Sequence, residues 1–334
     1  MQPDEPSLVD RFGRVHTNLR VSVTDRCNIR CFYCMPEHDV QFKPRHEILT
    51  FEEIQRFVGI AARRGVNKIR LTGGEPLVRN SLPDLIAGLK AIPGIEEVAM
   101  TTNGVLLESH ADALYRSGLD RLNISLDTLD EDTFFRISRR KGLQKVLDGI
   151  AAAKALPFKK IRLNSIAMSQ LTESEIVPLA EFSRRQMLEL RFIEFMPLDA
   201  NDEWETGKVL SGEFIRETIE SRFGPLIPVD PPDPSQPATD FRYSDMDLRV
   251  GLINPVTQPF CGSCNRLRLT AEGQIRNCLF STVEFDARKL LRGNAGDDEI
   301  EQLLVECVQA KKAGHGIDDE NFVRPERSMY QIGG

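Results

Sequence analysis

Six short runs of apolar and β-branched residues recur along the first two-thirds of the chain. They are LRVSV (19–23), KIRLTG (68–73), EVAMTTN (97–103), RLNISLD (121–127), KIRLNSIAM (160–168) and LELRFIEFM (188–196). Between them, apolar positions recur with a helical period near 51–64, 82–91, 107–117, 143–155 and 173–185. Thr50-Phe51-Glu52-Glu53 opens the first of these as a capping box. Strand–helix alternation predicts parallel strands joined by right-handed crossovers. Repeated six times, it favours an α/β fold built as an incomplete (β/α)6 barrel of the TIM type over a short doubly wound sheet. The alternation then stops. After a helix near 211–223, GPLIPVDPPDPSQP (224–237) reads as a linker or wrapped loop, because its prolines continue neither kind of element. Beyond it, LRVGLINP and RLRLTAEGQIRNCL predict antiparallel strands with a turn at Glu272-Gly273. A helix near 297–313 and a polar tail, MYQIGG, complete the chain. A boundary near 230 therefore divides a barrel, residues 1–230, from a smaller C-terminal α+β region, residues 231–334.

Composition narrows the function more than the fold. The 334 residues are 41% hydrophobic and 28% charged, enough to fill such a core. A net charge of −7 argues against the basic field of a nucleic-acid reader, so an anionic ligand must be held by a local group of arginines and lysines. The N-terminus carries neither an apolar signal core nor transit character, and no run reaches the ~18 apolar residues of a membrane span. A soluble, cytoplasmic protein with no membrane partner is expected.

The cysteines carry the sharpest signal. DRCNIRCFYCMP places Cys27, Cys31 and Cys34 in a C-x3-C-x2-C spacing on the loop leaving the first predicted strand. Chemistry in β/α barrels collects at that end of the strands. Three thiolates suit three corners of a [4Fe–4S] cube whose fourth iron stays open for a ligand, whereas four cysteines leave no vacancy. A zinc site using Cys31 and Cys34 with a distant partner is the alternative. A second trio, Cys261, Cys264 and Cys278, fits either a zinc knuckle completed by Cys307 or His315 or a second open cluster. Cys307 falls on the apolar stripe of Ile300, Leu303 and Leu304 and is read as core. The remaining histidines suggest no ligand set.

Arginines inside apolar strands are the second signal. Arg20, Arg70, Arg162 and Arg191 interrupt four of the runs, and Arg266 and Arg268 share one face of RLRLT. Each is expensive there unless paired. Either strand carboxylates such as Glu194 pair with them, or the guanidiniums converge on a polyanion that Arg grips bidentately. No G-x4-G-K-[ST] loop occurs, so a nucleotide would be bound as substrate by a dedicated site. Gly73 and Gly74 at a strand end would let a ligand approach the backbone closely.

These motifs resemble a known family. DRCNIRCFYCMP and Thr72-Gly73-Gly74-Glu75-Pro76 are similar to the cluster loop and GGEP motif of radical S-adenosylmethionine (SAM) enzymes. CGSCNRLRLT with Cys278 downstream, and the terminal Gly333-Gly334, resemble the GTP 3′,8-cyclase family, which opens molybdenum cofactor biosynthesis. The resemblance spans the whole chain. It implies two [4Fe–4S] clusters, on Cys27, Cys31 and Cys34 and on Cys261, Cys264 and Cys278. It implies a SAM site of Tyr33, Gly74, Glu75, Ser125 and Met196, with Glu75 accepting from the SAM ammonium. It implies GTP contacts at Arg20, Arg70, Thr101, Arg162, Arg266 and Arg268, with Lys68 adding charge, and catalytic roles for Arg20, Arg266 and Arg268. The implied reaction is abstraction of the 3′ hydrogen of GTP by a 5′-deoxyadenosyl radical, then bonding of C3′ to guanine C8. Cyclic pyranopterin monophosphate synthase would take the product, a flavodoxin- or ferredoxin-type carrier would supply electrons, and a homodimer is expected. One departure stands out: the family often has Lys where this chain has Arg162. A peptide-modifying radical SAM enzyme and a non-catalytic zinc module are the competing classes.

Overall fold

The protein is described by a computed structural model over residues 7–199, 204–230 and 233–333. The six expected strands form as β1 (Asn18–Ser22), β2 (Lys68–Thr72), β3 (Glu97–Thr102), β4 (Arg121–Ser125), β5 (Lys160–Ala167) and β6 (Glu189–Glu194). They pair in sequence order and in parallel. The first helices are α1 (Phe51–Arg63), α2 (Leu82–Lys90), α3 (Leu107–Arg116), α4 (Glu131–Ser138), α5 (Leu143–Lys154), α6 (Ile176–Gln186) and α7 (Gly212–Phe223). The capping box forms as read: Thr50 Oγ1 accepts from Glu53 N at 3.2 Å, and Glu53 Oε2 accepts from Thr50 N at 2.7 Å. Alternate strand residues such as Leu19, Val21, Ile69, Leu71, Leu122 and Ile124 are buried against the helices in one continuous apolar core. The intervening residues, among them Arg20 and Arg70, therefore face the opposite side of the sheet, the barrel interior.

The C-terminal region is only partly as expected. It supplies β7 (Leu226–Val229), β8 (Thr239–Tyr243), β9 (Arg249–Ile253), β10 (Arg266–Leu269), β11 (Gln274–Arg276) and β12 (Phe285–Asp286). Helices α8 (Ala287–Arg292), α9 (Asp297–Gln309) and α10 (Met329–Ile332) follow. Among the described residues all twelve strands form one sheet, ordered β12-β11-β10-β1-β2-β3-β4-β5-β6-β9-β8-β7. The turn at Glu272-Gly273 does join an antiparallel pair, β10 and β11. However, LRVGLI and RLRL are not each other's neighbours. They flank the barrel, β9 parallel to β6 and β10 parallel to β1. The reason is burial: Val250, Leu252, Leu267 and Leu269 are buried like the residues of the central strands, and parallel strands are the ones buried on both faces. The six-stranded barrel is thus extended by one parallel strand at each edge. The linker prolines Pro231 and Pro232 lie outside the described residues.

Candidate active site

The first cysteine loop sits where it does because the chain before it is clamped to the end of β2. Gly74 N donates to Thr24 O and Glu75 N to Arg26 O, each at 2.8 Å. A Cβ on Gly73 would overlap Thr24 O, and one on Gly74 would overlap Arg26 O and lie 3.0 Å from Asp25 O. The glycine pair therefore permits a close approach by the protein's own backbone, a packing role that the sequence did not show. Glu75 is also committed inside the protein. At 1% exposure, its Oε1 accepts from Leu77 N at 3.0 Å and Thr102 Oγ1 at 2.7 Å, and its Oε2 from Asn103 N at 2.7 Å. Burial pushes its carboxyl up to about 7 against these bonds, which favour ionisation. Glu75 fixes Asn103, whose Nδ2 donates to Cys27 Sγ at 3.7 Å and Asn28 Oδ1 at 2.8 Å. Tyr33 crosses to the far strands: its hydroxyl donates to Asp127 Oδ2 at 2.7 Å, while Asp127 Oδ1 accepts from Ile166 N at 2.8 Å. Ser125 ends β4, and Met196 follows β6.

Below this rim the strand register stacks cations. Arg20 pairs in register with Arg70 and with Arg268, Arg70 lies opposite Ala99, and Ala99 opposite Arg121. One layer nearer the rim, Thr101 lies opposite Asn123, Asn123 opposite Arg162 and Arg162 opposite Glu189. Some of these charges are paired. Arg162 Nε donates to Glu189 Oε2 at 2.6 Å, Arg121 reaches Glu97 at 2.9 Å, and Arg191 reaches Asp240 at 3.3 Å across Gly251. Lys68 meets Asp233 at 2.8 Å. Glu194, the carboxylate suggested as a general partner, instead accepts from Val256 N at 2.8 Å and Thr257 N at 3.0 Å and takes no arginine. Arg20 and Arg70 have no carboxylate partner among the described residues, and Arg20 Nε is buried without any acceptor. Burial, then the neighbouring guanidiniums, drives both well below the ordinary arginine value. Two uncompensated, half-buried cations side by side, one with its Nε fully enclosed, are stable only if an anion completes them.

The second trio lies beside β10, on the other side of this cationic layer. Arg266 Nε donates to Cys264 Sγ at 3.4 Å and stacks over Phe260, with its guanidinium carbon 4.8 Å from the ring centre. Burial raises the Cys264 thiol, but the Arg266 guanidinium and the Lys311 ammonium outweigh it and draw the thiol down to about 6. The first trio is different: burial pushes all three thiols up, Cys27 to about 11, and neighbouring thiols or carboxylates raise each further. Those thiols keep their protons until iron binds and displaces them. The thiols of each trio raise one another's titration, so they share a neighbourhood, but among the described residues they do not form a closed set of ligands. Three soft thiolates per site, in a chain whose resemblance calls for iron–sulfur groups, fit that donor chemistry. Neither spare ligand joins the second trio. Cys307 is fully buried in the main core, and His315 is engaged at both nitrogens, Nε2 with Pro255 O at 2.8 Å and Nδ1 with Ile317 N at 3.1 Å.

Two supporting groups were not visible in the sequence. Arg14, in an N-terminal hairpin, donates to Cys261 O at 2.8 Å, Ala313 O at 3.0 Å and Lys312 O at 2.7 Å, with its Nε on Asp10 at 2.6 Å. His16 Nε2 shares Asp10 at 3.1 Å. Burial, with Lys311 nearby, lowers the His16 imidazole to about 4, so the folded protein holds it neutral. An unfolded chain binds that proton near 6.5. Stability is therefore complete above pH 6.5 and declines as pH falls from 6.5 towards 4, by up to about 3 kcal/mol. The melting temperature should fall over this window in the parent and less steeply in His16→Gln; parallel pH profiles would refute the assignment.

The tail is not a solvated polar end. It forms α10, with Tyr330 and Ile332 buried. Ile332 packs with Leu198 and Phe280, and Met196, Cys278 and Met329 lie against them, so one small apolar cluster joins the end of β6 to the second trio. The Tyr330 backbone lies near enough to Cys34 to favour its thiolate against the burial that raises it. Arg268 donates to Gly333 O, and Gly333 lies against Ser22 and Thr72. Arg327 holds the segment to Glu284 at 2.7 Å. The tail thus lies between both trios and the cationic layer; Gly334 is outside the described residues.

A parallel β/α barrel with three thiols on the loop leaving its first strand defines the radical SAM class. Residues 21–183 match the family described as the radical SAM superfamily, and residues 188–317 the family described as Molybdenum Cofactor Synthesis C. The chain is 52% identical over 334 residues to a GTP 3′,8-cyclase of Rhodopirellula baltica, covering 99% of this chain and 93% of that one. It is 42% identical over 328 residues to a GTP 3′,8-cyclase of Streptomyces coelicolor, covering 98% and 96%. The chain belongs to the GTP 3′,8-cyclase family of radical SAM enzymes. Membership brings SAM and a [4Fe–4S] cluster as cofactors. The solved structure of Streptococcus suis SuiB bound to S-adenosylmethionine matches with a TM-score of 0.62 at 15% identity, covering 94% of this chain and 76% of that one, a likeness of fold. No helix among the described residues is long and apolar enough to cross a membrane.

Proposed function

We propose that the protein converts GTP to (8S)-3′,8-cyclo-7,8-dihydroguanosine 5′-triphosphate, the first step of molybdenum cofactor biosynthesis. The observation that carries this reading is the pair Arg20 and Arg70, half-buried cations without a carboxylate among the described residues, in register with Arg268 between the two cysteine trios. Cys27, Cys31 and Cys34 hold the first cluster. That cluster and SAM, when bound, supply the 5′-deoxyadenosyl radical that removes the 3′ hydrogen of GTP. Tyr33, Gly74, Ser125 and Met196 line the SAM site, and Glu75 shapes it by holding Leu77, Thr102 and Asn103. Arg20, Arg70, Thr101 and Arg162 take the triphosphate; Arg162 keeps its terminal nitrogens for this while its Nε stays on Glu189. Cys261, Cys264 and Cys278 hold a second cluster, and Arg266 and Arg268 orient the purine beside it. The tail excludes water from the space between, where a carbon radical must survive. The division of labour falls near residue 230, SAM chemistry before it and purine binding after it. The product passes to cyclic pyranopterin monophosphate synthase, and a flavodoxin- or ferredoxin-type carrier provides the electron. The enzyme works in the cytoplasm as a homodimer.

The test is 5′-deoxyadenosine release from anaerobically reconstituted, reduced protein given SAM with or without GTP. Release that depends on GTP is expected. Release indifferent to GTP would keep the radical SAM assignment and overturn the substrate.

A further inference from the structure

Lys311 lies just beyond α9, 33 residues past Cys278 and outside the spacing of either cysteine motif, yet its ammonium ends inside the second trio's frame. It is 3% exposed. Its three protons have three acceptors: Asn277 O at 2.6 Å, Arg266 O at 2.9 Å and Cys264 Sγ at 3.5 Å. Asn277 directly precedes Cys278, and Arg266 is two residues past Cys264. One side chain therefore ties a ligand sulfur to the backbone flanking the trio on both sides. The turn that carries Lys311 is itself fixed, because Arg14 bonds Lys312 O, Ala313 O and Cys261 O together. No carboxylate lies within ion-pair distance of Lys311 among the described residues. A buried ammonium so placed is expensive unless a negative group faces it, and a thiolate-ligated iron–sulfur cluster is such a group.

We infer that Lys311 is a positioning residue of the second trio, holding Cys264 and the approach to Cys278 in ligating geometry and setting the reduction potential of the cluster they bind. This rests on the proposed second cluster. Hydrogen bonds to ligand sulfurs and nearby positive charge favour the reduced, more negative state of such a cluster. Taking away the ammonium moves the potential to more negative values.

The experiment uses the full chain with Cys27, Cys31 and Cys34 changed to serine, reconstituted with iron and sulfide, so that only the second trio's signal is read. Iron content, the electron paramagnetic resonance spectrum and the midpoint potential are compared for the parent, Lys311→Gln, Lys311→Met and Lys311→Arg. The parent binds a cluster; Lys311→Gln, which keeps donors and loses charge, shifts to a more negative potential with an altered spectrum; Lys311→Arg returns most of the way. If Lys311→Met fails to fold, the Gln and Arg variants decide alone. A Gln variant with the parent's potential and spectrum would overturn the inference while leaving the second cluster in place. A parent that binds no iron–sulfur group would overturn both, and GTP-dependent 5′-deoxyadenosine release from the unaltered chain would show that the rest of the proposed function survives.

Discussion

Changing Cys34 to serine is expected to abolish 5′-deoxyadenosine release while leaving the chain folded. The substitution changes one atom in a half-buried loop, and the backbone bonds there do not depend on it: Cys34 N and Met35 N both donate to Cys31 O at 2.9 Å. The chemistry does depend on it. A serine hydroxyl is a hard, weakly acidic ligand, and the soft thiolate is what iron–sulfur sites select. With two thiolates left on the loop, the cube loses a corner and the site cannot be loaded. Release should fall below detection, a loss of at least several orders of magnitude, and iron per chain should drop. Cys307→Ser is the matched control. That thiol is fully buried among Ile300, Leu304 and Val308, so a hydroxyl there costs on the order of 1–3 kcal/mol of stability without touching the chemistry. Cys307→Ser should melt earlier and keep its iron. If Cys34→Ser released 5′-deoxyadenosine at the parent's rate, the first trio would not be the radical-generating site.

The contrast between these two cysteines also marks what the sequence could show. Local spacing placed Cys27, Cys31 and Cys34 on one loop, helical spacing put Cys307 in the core, and period-two patterning put the arginines on the inner face. Each of those facts involves residues a few positions apart. What stayed hidden depends on distant partners. Nothing in LRVGLI says that it will lie parallel to β6 rather than antiparallel to RLRLT, because apolar runs of that length suit either. Gly73 and Gly74 are legible as a place of close approach, but the sequence does not show that Thr24–Arg26 packs against them. Arg14 and Lys311 carried no motif; their meaning arises from carbonyls between 34 positions away, as for Lys311 and Asn277, and 299, as for Arg14 and Ala313. Arg162 and Arg191 illustrate the intermediate case, since their inward placement was legible but their carboxylates, Glu189 and Asp240, had to be seen.

Gly333→Ala is expected to reduce cyclised product by about a hundredfold or more without loosening either trio, on the argument that small displacements of positioned groups carry penalties of that size. Gly333 has φ +82°, a left-handed conformation that costs alanine roughly 1–2 kcal/mol. Worse, its Cβ would overlap Ser22 Oγ and lie 2.6 Å from Thr72 Oγ1, two buried hydroxyls at the ends of neighbouring strands that would both have to turn aside. With φ and both hydroxyls against it, the alanine is expected to push the tail outward. Arg268 then loses the Gly333 carbonyl that fixes it, and water gains access to the space between the trios. The rest of the tail keeps its own anchors, the Arg327–Glu284 ion pair and the Ile332 contacts with Leu198 and Phe280, so the melting temperature and iron content should stay near the parent's. Product formation should therefore fall much further than 5′-deoxyadenosine release, because the SAM loop is held by Gly74, Glu75 and Tyr33 and not by Gly333. An alanine variant that forms product within twofold of the parent would mean that Arg268 needs no help from the tail, and that the cationic layer alone orients the nucleotide.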